Sequence, residues 1–181
     1  MKRRYLSLLL VCAMALTGCG KQNEARFGAF SEALRARSDL VMTAAVRAEY
    51  DDRSCSFTLR YAETTDGGCT VEVLEPELIR GVKAHMNAEG TKLLYDSVAI
   101  DTGDDGGTGL SPMGALPLLA RALREGCVDA VWKEDGGLGV QLVPEDGVGV
   151  TVLFDADMRP YYAEIDREGV TVLFVELVDF T

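Results

Sequence analysis

Between Ser54 and Tyr61 polar and apolar residues alternate one for one. Cys55, Phe57, Leu59 and Tyr61 interleave with Ser54, Ser56, Thr58 and Arg60. A period of two with one polar face marks an antiparallel strand that rests one side on a core and wets the other. The pattern recurs. Residues 40–50 form a Val- and Ala-rich strand. Asp66-Gly67-Gly68 makes a hairpin turn, and Cys69, Val71 and Val73 continue the inner face. Pro76 stops that strand because it cannot donate to a ladder. Val82, Ala84 and Met86 then oppose Lys83, His85 and Asn87. After a turn at 88–90, residues 93–100 read as one strand and 101–109 as a Gly- and Asp-rich loop. Five further strands, at 127–134, 138–144, 148–155, 161–166 and 170–180, are separated by turn residues. The last is apolar enough from 170 to 177 to be covered on both faces.

Two segments change to helical period. Phe27, Phe30 and Leu34 share a face behind Asn23, a cap residue. Ser111-Pro112 starts a second helix with Met113, Leu116, Leu119 and Leu123 on one side. Pro117 interrupts it, so a short turn and a restart are expected, and Gly126 is its stop. Helix, about five strands, helix, about five strands, with no βαβ alternation, gives the α+β class. It predicts one strongly curved antiparallel sheet of about 10 strands with two helical segments on its concave face.

The first residues are an address. Lys2, Arg3 and Arg4 precede an apolar run at 5–16, too short to cross a bilayer, which takes about 20 residues. Leu16-Thr17-Gly18-Cys19 follows and resembles the bacterial lipobox. That resemblance implies a signal peptide at 1–18, diacylglycerol on the Cys19 thiol and a membrane anchor facing the extracytoplasmic side. Two acyl chains hold where one is marginal. Residues 19–23 are then the lipidated Cys and a short tether, and 24–181 a single domain.

Loss of the leader's three cations takes the net charge from −11 to −14. Residues 20–38 carry +2 and the remainder −16, so the N-terminal segment is the part that suits an anionic membrane. This balance excludes nucleic acid, whose phosphates need clustered Lys and Arg.

No cofactor, metal or catalytic set emerges, and the chain is read as not an enzyme. In the 101–109 loop Asp101, Asp105 and Gly106 match three calcium-loop positions, but Gly103 offers no ligand and Pro112 replaces the bidentate Glu. His85, the only His, falls on a polar strand face with no partner that spacing identifies. Cys55, Cys69 and Cys127 are odd in number, and all three are read as small buried thiols. Phe57, Leu59, Tyr61, Val73, Met86, Tyr95 and Trp132 are candidates to line a cavity, against the plainer reading that they are core.

The lipobox and element order, with the strand–Pro–turn–strand step from Val71 to Val82 and the helix start from Leu110 to Pro117, resemble the LolA/LolB-like lipoprotein carrier superfamily. The resemblance implies an unclosed half-barrel whose apolar concavity binds an acyl chain or a lipidated protein. A lipid anchor at Cys19 favours a fixed receptor over a shuttle. Germination lipoproteins of the GerS kind, also similar, imply the alternative: a scaffold or regulator of an envelope enzyme such as a cell-wall amidase, with no small ligand.

Overall fold

The computed structural model describes residues 18–50, 53–95, 98–103 and 110–181. The chain runs α1 (Gly18–Arg35), β1 (Val41–Tyr50), β2 (Arg53–Glu63), β3 (Cys69–Glu75), β4 (Lys83–Asn87), β5 (Gly90–Tyr95), β6 (Val98–Gly103), α2 (Pro112–Glu125), β7 (Cys127–Glu134), β8 (Gly137–Glu145), β9 (Val148–Phe154), β10 (Pro160–Arg167) and β11 (Val170–Phe180). A 3-10 turn, Glu77–Ile79, joins β3 to β4. The eleven strands form one sheet in the order β6-β5-β4-β3-β2-β1-β11-β10-β9-β8-β7. Every pairing is antiparallel, and β6 and β7 are unpaired edges among the described residues. This is the open half-barrel expected, with eleven strands rather than ten.

The extra strand comes from 93–100, read as one element. Tyr95 pairs with Val98 and Leu93 with Ile100, so the chain reverses between 95 and 98. Residues 101–103, expected in a loop, complete β6. The rest of that loop lies outside the described residues, as do residues 1–17 of the expected leader.

Both helices cover the inner face. α1 begins at Gly18 rather than at an Asn23 cap, so the tether residues 20–23 are helical. Its Phe27 and Phe30 meet Phe154 edge-on at centroid distances of 6.0 and 5.1 Å, and Phe30 also meets Phe180. Ser111 caps α2 by accepting from the Gly114 amide at 3.1 Å. Pro117 neither breaks nor restarts the helix. Proline inside a helix costs about 3 kcal/mol, but one buried Leu returns ~1.5–3 kcal/mol, and Leu116, Leu118, Leu119 and Leu123 are all buried here. At Gly126 the backbone is extended, not left-handed. Glycine is needed because a Cβ would lie 2.7 Å from the Ala122 carbonyl oxygen.

The core lies between these helices and the inward residues Met42, Ala44, Val46, Leu59, Val71, Val140, Leu142, Val150, Ile165, Leu173 and Val175, all at most 1 % exposed. β11 is buried on this side only. Its outward Phe174 is half-buried and Glu176 beside it exposed, correcting the expectation of two covered faces.

Candidate functional site

The inner face is not covered evenly. α2 packs mainly on β1, β2, β3, β8 and β11, and α1 on α2 and β7. The flank β4–β6 lies beyond them. Register fixes which of its residues face inward. Buried Ala84 pairs with Leu93, Leu93 with Ile100, and Tyr95 with Val98. Leu93, Tyr95, Val98 and Ile100, with Val82 and the 3-10 turn's Leu78 and Ile79, line a groove of about 510 Å³. All seven lining residues are apolar. Leu78 is 88 % exposed, Val98 and Ile100 58 % and Tyr95 52 %. Backbone bonds hold the turn that carries Leu78, from Ile79 to Pro76, Arg80 to Glu77 and Gly81 to Val73. Arg80 Nε adds a bond to the Leu74 carbonyl at 2.9 Å. With no charged group in its lining, the groove suits hydrocarbon.

A second hollow, of about 540 Å³, flanks the C-terminal half of α2. Tyr61, Cys69, Met86, Pro117 and Ala120 form its apolar part, and Glu63, Arg121, Arg124 and Glu125 its polar part. Both arginines are already paired, Arg121 with Glu145 and Arg124 with Glu63. Burial pushes the Cys69 thiol up to about 11, helped by Glu63 and Asp66. Burial also raises the Tyr61 hydroxyl well above its usual range.

The sequence candidates are therefore scattered. Tyr95 is in the groove. Met86 and Tyr61 are at the second hollow. Leu59 and Val73 are buried in the core and Phe57 is half-buried beside it. Trp132 lies on the opposite, outer face, over Gly139. Leu78, Val82, Leu93, Val98 and Ile100 were not recognised. Their signal was present but inverted. On one continuous strand residues 93 and 95 oppose 98 and 100, whereas the hairpin turns all four to one face.

Two further side chains depart from expectation. His85 has partners, with Nε2 3.1 Å from Asp66 Oδ2 and Nδ1 3.4 Å from Thr70 Oγ1, bracing the β2–β3 turn on the outer face. The hydrogen bond from Thr64 and those from the Gly68 amide, Asn87 and His85 hold the Asp66 carboxyl well below the usual range. Cys127 is exposed at the start of edge strand β7, while Cys69 is buried and Cys55 half-buried; all three are free thiols. Among the described residues no cluster of His, Cys, Asp or Glu is placed to hold a metal, and no helix is long and apolar enough to cross a membrane.

No protein-family model matches the chain, and neither does any curated protein. Solved structures do. A LolA superfamily protein from Nitrosomonas europaea superposes with a TM-score of 0.51 at 11 % identity, over 88 % of this chain and 92 % of that one. The fold is of the LolA type. A putative outer membrane lipoprotein-sorting protein domain from Vibrio parahaemolyticus gives 0.48 at 14 % identity, over 90 % and 91 %. The complex of the CwlD amidase with the GerS lipoprotein from Clostridioides difficile gives 0.46 at 17 %, over 87 % and 94 %. The LolA-type half-barrel here keeps its middle filled by helices and one flank bare.

Proposed function

We propose that this protein is a lipid-anchored, extracytoplasmic binding protein that holds an acyl chain, free or on a lipidated protein, in the groove between the 3-10 turn and β4–β6. The anchor is diacylglycerol on Cys19, and the protein is not an enzyme. One observation carries the reading: an all-apolar groove of about 510 Å³ lies open on the inner face where the helices stop short. Leaving residues such as Val98 and Ile100 in water forgoes ~25 cal/mol per Å² of apolar area, which an acyl chain recovers. The groove has no carboxylate, imidazole, amine or thiol in its lining, which fits binding rather than turnover.

The test is ligand extraction with mass spectrometry on purified residues 20–181, followed by displacement of a fluorescent fatty acid. Co-purifying lipid and saturable displacement support the reading. A domain that carries no lipid and binds no fatty acid would reject it and leave a protein scaffold.

A further inference from the structure

Strand β7 is an open edge of the sheet, at the opposite flank from the acyl groove. Natural edges are blunted by bulges and by charges that point inward. β7 has both. Its pairing with β8 is irregular between Val128 and Ala130, and Lys133 faces inward because it pairs with buried Leu138. An inward Lys blocks an incoming strand only where that strand cannot answer its charge. β7 itself carries the answer in Asp129, four residues away. Neither side chain has a hydrogen bond or ion pair among the described residues.

A second β7 laid antiparallel, with Val131 opposite Val131, sets Asp129 against Lys133 on both sides of a two-fold axis. Opposite charges directly across stabilise antiparallel neighbours, and like charges destabilise them. Ala130 then faces Trp132, whose indole lies over Gly139 on the β8 side and leaves the edge clear. Of the remaining charges, Glu134 accepts from the Trp132 indole at 2.7 Å, and Glu125 and Asp135 lie outside the paired stretch 129–133. Beside the edge a groove of about 450 Å³ runs between α1 and β7. Phe27, Val128 and Val131 form its apolar part. Glu24, Asp129 and Arg35 give it a net charge of −1, which an incoming Lys133 neutralises, while Arg35 already donates to the Arg124 carbonyl. The other open edge, β6, has no such match, since residues 98–103 hold Asp101 and no cation.

We propose that two copies of this protein associate through β7, antiparallel about Val131, so that their sheets continue into one across a two-fold axis. An isologous contact of this kind closes on itself. The paired stretch is short, so the dimer is weak. Sedimentation velocity of the full chain in detergent, over a range of concentrations, should show a monomer–dimer equilibrium. Asp129→Lys sets like charges opposite each other twice and should weaken the dimer about 10-fold or more. Adding Lys133→Asp restores opposite signs and should recover it. In a Cys127→Ser background, Val131→Cys should form a disulfide with its own copy on oxidation, because opposed Cα atoms lie about 4.5–5.5 Å apart. Glu134→Cys, ~20 Å from its own copy in this register, should not. Ile100→Asp, on the β6 edge, should dimerise as the parent does. A chain that stays monomeric at every concentration overturns the proposal. So does a dimer that Asp129→Lys leaves intact, one that Ile100→Asp dissolves, or one that cross-links at position 134 and not at 131.

Discussion

Arg124 of α2 grips Glu63 of β2 with both terminal nitrogens, Nη2 standing 3.1 Å from Oε2. The same guanidinium donates to the carbonyls of Leu34 and Arg37, each at 3.1 Å, and Glu63 also accepts the Leu40 amide at 3.0 Å. In return Ser31 and Arg35 of α1 donate to the Arg124 carbonyl at the end of α2. One ion pair thus ties together α1, α2, β1 and β2. Glu63→Gln should destabilise the domain by about 2–3 kcal/mol, below the full figure for a broken buried pair because Arg124 keeps two carbonyls. Denaturant unfolding measures it. Burial raises the Glu63 pKa, but the Arg124 and Leu40 hydrogen bonds outweigh it and leave the carboxyl below its ordinary 4.5. A depressed carboxyl contributes stability fully above about pH 5 and loses it as pH falls through the lowered pKa. Glu63→Gln should therefore narrow its deficit against the parent as the medium is acidified below pH 4.5.

Val98→Asp and Ile100→Asp test the groove. Both positions are more than half exposed, so stability should move by no more than about 0.5 kcal/mol. Fatty-acid affinity should fall by about 10-fold or more for each, since a charge enters a lining that has none. Unchanged affinity in a fluorescent displacement assay removes the acyl chain from this flank.

The three thiols should separate by reactivity. At pH 8 a thiol with a pKa of about 11 is ~0.1 % thiolate, and Cys69 is also buried. Iodoacetamide should alkylate exposed Cys127 in the folded domain and reach Cys69 only after denaturation. Peptide mapping of the alkylated chain reads both.

Cys19→Ser tests the proposed anchor by removing the thiol that would carry diacylglycerol. The expected outcome is an unprocessed precursor or a domain released from membranes, seen on fractionation and by intact mass. A normally processed, membrane-bound and acylated variant rules out this anchor.

How far the sequence reached depended on whether a residue's neighbours were local. Period-two alternation located the strands, as at Cys55 to Tyr61, and the Ser111 cap located α2 to the residue. Pro117 misled because the burial that keeps its helix whole comes from the sheet, not from adjacent residues. The groove was hidden by a single unrecognised reversal between Tyr95 and Val98, which swaps inside for outside along the rest of the strand. Trp132 fell on the wrong face for a related reason. Its position depends on a glycine in the next strand, and composition alone reads tryptophan as core. The Arg124–Glu63 pair spans 61 positions, beyond any local pattern.

The place of β11 between β1 and β10 bears on how such a chain acquires its structure. The strands β1–β6 and β7–β10 can each zip up by neighbouring hairpins, but within the sheet the two halves meet only through β11. Until Val170–Phe180 has paired, β1 and β10 both expose unpaired edges, and the core between them stays open to water. Completion therefore awaits a contact between positions some 130 residues apart, such as Ala44 with Leu177. High contact order of this kind makes the closing step slow. A chain trimmed of β11 should behave as two sticky half-sheets rather than as a slightly weakened domain.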